Sequence, residues 1–159
     1  MALFAALVVA TVIDIRTRRI PNGLTAALAG AGLGLAAFGT GGVSLWGAAA
    51  GLVVGLALMA PGYLLGATGG GDVKLMAAVG TVVGPSTVIW AFLFTGVAGG
   101  VLALIVAGQR GRLAATVAGT GRLMTATAGS APLGVATPAR RFAYGPAIAA
   151  GSALAVLLK

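Results

Sequence analysis

Gly69-Gly70-Gly71-Asp72-Val73-Lys74-Leu75 sets three glycines and a carboxylate inside a chain that is 59% hydrophobic and only 8% charged. The glycines close one apolar segment and open the next, so the stretch divides a membrane-type sequence into separate helices. Asp72 is one of two acidic residues, against ten basic ones, in 159. The other, Asp14, ends the first apolar run and begins Asp14-Ile15-Arg16-Thr17-Arg18-Arg19-Ile20-Pro21-Asn22. An ionisable side chain in a bilayer is costly enough to be read as functional by default, so Asp14 and Asp72 are taken together as the functional pair.

Composition bounds the rest. A mean hydropathy of +1.09 exceeds what a water-soluble domain of this size can solvate, which implies a polytopic membrane protein. Residues 1–159 are expected to form one integral membrane domain. It would be an all-α bundle of about six transmembrane helices at ~20 residues each, with no room for a soluble domain. The net charge of +8 lies between apolar runs, where it orients a protein in the lipid bilayer; nucleic acid is not an expected partner. With no cysteine and no histidine, disulfides, thiolate nucleophiles, Ser-His-Asp catalysis and ordinary zinc sites are excluded, and no metal or other cofactor is expected. Carboxylate, lysine, hydroxyl and backbone remain for chemistry.

Met1 to Ile13 is almost wholly apolar yet spans only about 20 Å, so the first helix is expected to continue through Asp14 toward Ile20, where Pro21 disfavours helix. No basic segment precedes it, and it reads as a retained span rather than a signal peptide. Asn22 is placed to cap a second helix, Gly23 to about Phe38, closed by Gly39-Thr40-Gly41-Gly42. A third span, Val43 to about Leu65, carries Gly47, Gly51 and Gly55 at the spacing that lets helix backbones approach closely. Asp72 is placed to start a fourth, ending near Val83. Its twelve residues cover only ~18 Å, so it either begins within the glycine turn or lies in a thinned or water-accessible region. The fifth runs from Pro85 to Ala107 and the last from Phe142 to Leu158. Between them, Arg110, Arg112, Arg122, Arg140 and Arg141 punctuate a loop or weak surface helix. In a six-span arrangement these five arginines share one side with Arg16, Arg18, Arg19 and Lys74, while Lys159 lies opposite. The positive-inside rule makes the shared side the cytoplasm and brings both aspartates to the cytoplasmic boundary of a multi-pass protein of the cell membrane.

Each residue also has a plainer reading: Asp72 as an N-cap, Asp14 as the partner of Arg18 four residues on, and Lys74 as an interfacial anchor. Taken together, however, Asp14 ahead of Ile20-Pro21-Asn22 and the later Gly69-Gly70-Gly71-Asp72-Val73-Lys74-Leu75 resemble the type IV prepilin peptidase family, membrane aspartyl proteases of the GxGD kind. The resemblance runs from the first span to the last. It includes Arg141-Phe142-Ala143-Tyr144-Gly145-Pro146-Ala147, where Ala143 stands at a place the family often fills with proline.

The resemblance implies an endopeptidase with Asp14 and Asp72 as catalytic residues and Gly69, Gly71 and Lys74 in the active-site loop. Its protein substrates would be prepilin or pseudopilin precursors, cut at the cytoplasmic face. Two carboxylates held close cannot both ionise easily, so the pair is expected to share a proton, and the two catalytic roles belong to the pair rather than to either residue. Larger members resembling this chain also methylate the new N-terminus and carry cysteines in an extra segment; this cysteine-free chain is expected to be a short form with peptidase activity alone. The competing readings are a proton- or cation-coupled transporter using the two acids as an ion site, and a non-catalytic membrane subunit of a pilus machine.

Overall fold

The computed structural model describes residues 2–17, 20–66, 68–109 and 145–158. Five helices and no strands occur among them: α1 (Ala2–Thr17), α2 (Asn22–Ala37), α3 (Leu45–Leu64), α4 (Gly70–Gln109) and α5 (Gly145–Leu157). The all-helical expectation holds. The cationic segment between the last two helices, with its five arginines, lies outside the described residues, as do Arg18, Arg19 and Lys159.

Local chemistry explains the boundaries. Pro21, with φ −62° and ψ 134°, occupies the N-cap of α2, and its carbonyl accepts from Leu24 N at 3.1 Å and Thr25 N at 3.4 Å. Asn22, expected to be the cap, is instead the first helical residue, because proline's fixed φ already suits the entry to the helix. The other end of α2 closes as a Schellman motif, with Gly39 at φ 69°, Gly39 N donating to Ala36 O, and Thr40 N donating to Leu35 O at 3.0 Å. Ser44 caps α3, its hydroxyl accepting from Gly47 N at 3.1 Å, and Gly66 at φ 71° turns the chain out of it.

The fourth helix begins inside the glycine run, at Gly70, two residues before the expected start at Asp72. It is interrupted where the sequence indicated, at Gly84, whose φ of 81° and ψ of 173° are non-helical, and Pro85 then opens the second arm. Thus the expected fourth and fifth segments are two arms, 70–83 and 85–109, of one broken element.

α4 is the hub, packing most extensively against α3 and also against α5 and α2. Glycine makes the closest crossing possible. A Cβ on Gly51 of α3 would collide with the carbonyl of Gly80, and one on Gly80 with the carbonyl of Gly51. One turn on, a Cβ on Gly55 would lie 2.7 Å from Met76 O. Gly47 does not extend this seam, since its nearest neighbours, Val43 and Ser44, belong to its own turn. The buried layer includes Leu7, Leu75, Met76, Val79, Val88 and Ile148. Two buried hydroxyls within it, Thr81 and Thr95, are satisfied along their own helices, by Ala78 O at 2.7 Å and Ala91 O at 2.6 Å respectively.

Large apolar side chains cover the outside, among them Val8, Trp46, Val53, Trp90, Val97 and Leu157. Such a surface suits lipid rather than water. Leu45–Leu64 and Gly70–Leu102 are long and apolar enough to cross a membrane, whereas α2 and α5 are shorter apolar helices. These two segments fit a membrane protein.

Candidate active site

One end of the bundle gathers the polar motifs. The end of α1, the start of α2, the start of α4 and the start of α5 meet there, and both aspartates are buried among them, Asp14 at 5% and Asp72 at 6% exposure.

Asp72 is the third residue of α4. Its Oδ2 accepts the N–H of Gly69 at 3.0 Å while its own N–H donates to Gly69 O at 3.1 Å. The N-terminal turn therefore closes on itself, a side chain reaching back to the residue before the helix as in a capping box. Its position in the first turn also suits a negative charge through the helix dipole. Asp72 thus caps the helix from inside it, from a place where its carboxylate faces the bundle.

Asp14 stands near the end of α1, and its Oδ2 accepts the N–H of Gly145, the first residue of α5, at 2.8 Å. This bond is buried and joins residues 131 apart in the chain. Arg18, the partner in the plainer reading, lies outside the described residues. Asp14 and Asp72 come within Coulombic reach of one another.

The glycines make room for this junction. A Cβ on Gly71 would sit 3.1 Å from Ile20 Cβ and 3.4 Å from Ile20 N, so the start of α4 presses against the link between α1 and α2. A Cβ on Gly69 would lie 3.1 Å from Asp72 Oδ2, whereas one on Gly70 would meet only the Tyr63 ring, at 3.4 Å. None of the three has a positive φ; among the described residues those glycines are Gly39, Gly42, Gly66 and Gly84. Gly69 and Gly71 are thus required for space, not for a left-handed conformation.

Of the residues singled out in the sequence, Asp14, Asp72, Gly69 and Gly71 are brought together. Lys74 stands at the rim. Its Nζ donates to Asn22 Oδ1 at 2.9 Å in an exposed position, tying the first turns of α4 and α2. Three contributors escaped the sequence reading: Ile20 as the surface facing Gly71, Asn22 as the acceptor for Lys74, and Gly145 as the donor to Asp14. The Gly145-Pro146 pair did carry a signal, since proline near a helix start is well tolerated and leaves the glycine N–H as a leading donor.

A profile of the type IV leader peptidase family matches residues 1–104. The chain belongs to the type IV leader peptidase family. The matched residues hold both aspartates, the Ile20-Pro21-Asn22 link and the glycine run, so the structure joins at one end of the bundle the parts of the chain that share this ancestry. No curated protein and no solved structure matches the chain. Membership makes it a peptidase of the leader-cleaving type. The last helix lies beyond the matched stretch and reaches Asp14 through Gly145.

Proposed function

We propose that this leader peptidase is a membrane aspartic endopeptidase that removes the short leader from prepilin-like precursors at the cytoplasmic face. The observation that carries the reading is the convergence of the chain's only two acidic side chains, from separate helices, into one buried cluster within Coulombic reach. Burying two carboxylates close together is expensive, and a proton shared between them relieves the repulsion.

A proton-sharing pair suits peptide hydrolysis. One carboxylate takes a proton from water as the water oxygen bonds to the scissile carbonyl carbon, giving a tetrahedral intermediate. The partner, as carboxylic acid, passes its proton to the amide nitrogen as the C–N bond breaks, and the pair ends with one proton, as it began. Among the described residues, a backbone N–H orients Oδ2 of each aspartate. A pair at the ends of helices also suits a cut just outside the hydrophobic segment of a substrate, whereas an ion pathway would place it near mid-membrane. Sidedness rests on the cationic residues Arg16, Arg18, Arg19 and Lys74 beside the motifs. The lack of cysteine supports cleavage without methyl transfer.

The test is leader removal from co-expressed candidate prepilins. Asp14→Asn and Asp72→Asn should each reduce cleavage by about 10³-fold or more while inserting normally, as expected when a group needed for proton transfer is lost from a coupled pair. Processing at the parental rate by either variant overturns the aspartyl mechanism.

A further inference from the structure

We infer that Gly145 is a positioning residue for Asp14, so that the start of α5 forms part of the catalytic apparatus; the inference rests on the aspartyl reading of Asp14 and Asp72. Its N–H donates to Asp14 Oδ2 at 2.8 Å, and the missing side chain leaves the carboxylate its place. A Cβ at position 145 would lie 2.7 Å from Asp14 Oδ2, 2.9 Å from Asp14 Cβ and 3.1 Å from Asp14 Cγ. Every other residue type would therefore displace the carboxylate, the helix or both. Gly145 is absent from the glycines of positive φ, so its backbone conformation does not demand glycine. The space beside Asp14 does.

The electrostatics point the same way. Asp14 sits at the C-terminal end of α1, where the exposed carbonyls of its own helix oppose a negative charge. The N-terminal turn of α5 brings partial positive charge from another element, and Pro146 contributes no N–H to it. Gly145 is thus the donor that α5 aims at the carboxylate. The packing gives the bond leverage, because α5 lies against both α1 and α4, the two helices that carry the aspartates. Fixing Oδ2 fixes the carboxylate plane, and with it the direction in which Oδ1 points.

Gly151 on the same helix supplies the control. A Cβ there would meet Thr95 N, Thr95 Oγ1 and Ala91 O of α4, a packing contact away from Asp14. In purified full-length protein, Gly145→Ala should lower kcat about 10- to 100-fold with KM within about twofold and the thermal midpoint near parental, as expected for misorientation of a reacting group. Gly151→Ala should lower the thermal midpoint while each folded molecule retains parental kcat.

A second measurement needs no glycine variant. Tyr144-Gly145 is the one Tyr-Gly step in the sequence, so pairing carbonyl-labelled tyrosine with 15N-glycine isolates the Gly145 amide signal. That signal should move with pH in the parent protein and lose this dependence in Asp14→Asn. The positioning role is overturned if Gly145→Ala cleaves at the parental kcat, if it loses activity only in proportion to unfolding, or if the Gly145 amide shows the same pH response with and without the Asp14 carboxyl. Cleavage by Asp14→Asn overturns the aspartyl reading itself, a result distinct from an indifferent Gly145.

Discussion

Asp72 and Asp14 are held by the same kind of bond from opposite kinds of source. Each is buried and accepts one backbone N–H through Oδ2, at 3.0 Å and 2.8 Å respectively. For Asp72 the donor lies three residues back in its own turn; for Asp14 it lies 131 residues away, on another helix. A local bond forms whenever the helix start forms, whereas a remote bond exists only once α5 has docked. One aspartate is therefore prepared by secondary structure and the other by tertiary structure, and the pair is complete only in the assembled bundle.

The strongest way to break this contrast is to disturb the approach of the two aspartates while leaving both carboxylates and both donors in place. Gly71→Ala does so. Its added methyl would sit 3.1 Å from Ile20 Cβ, forcing the start of α4 and the α1–α2 link apart by a few tenths of an ångström. Displacement on that scale at a reacting centre should lower kcat about tenfold, with a much smaller effect on the thermal midpoint. Parental turnover in purified Gly71→Ala would show that the Ile20 contact does not set the separation of the pair.

The same contrast explains what could be read without a structure. Asp72, Gly69 and Gly71 lie within four residues of one another, and the breaks at Gly66 and Gly84-Pro85 follow from backbone preferences of the residues themselves. Such features are written locally. Gly145 is not, because nothing near it in the chain states that Asp14 will face it; only the docking of α5 does. Ile20 and Asn22 fell between the two cases. Their motif is evident and Pro21 marks a break as expected, with Ile20 non-helical, but Pro21 also takes the N-cap place expected of Asn22, which instead meets Lys74. Likewise Gly47 shares the spacing of Gly51 and Gly55 without sharing their contact, because spacing names a helix face and not the length over which a neighbour covers it.

A smaller effect is expected from the exposed tie between Lys74 Nζ and Asn22 Oδ1, which steadies the first turn of α4 from outside the pair. A solvent-exposed hydrogen bond contributes on the order of 0.5–1 kcal/mol, so Lys74→Ala and Asn22→Ala should each slow cleavage only about two- to fivefold. If the two act through this bond, the double variant should be no slower than the slower single one. Additive losses in a double-mutant cycle would assign Lys74 a role apart from Asn22, such as contact with the substrate.

The smallest effect belongs to Gly70→Ala, and its sign is informative. Gly70 is the first residue of α4, has no positive φ, and would present its methyl to the Tyr63 ring at 3.4 Å, an ordinary van der Waals distance. Nothing at that position requires glycine. Alanine there restricts the unfolded chain and favours helix, which should stabilise the protein by about 0.4–1 kcal/mol. Turnover should stay within about twofold of the parent, because neither the Gly69–Asp72 bond nor the Gly71–Ile20 contact is touched. Set beside Gly71→Ala, this pair of neighbouring glycines separates two uses of the same residue. If the run acts as a flexible hinge, both alanines should slow the enzyme alike. If it acts as a fitted seat for Ile20 and Asp72, Gly70→Ala should melt at a slightly higher temperature and cleave normally while Gly71→Ala fails, and equal losses in the two variants would refute the fitted seat.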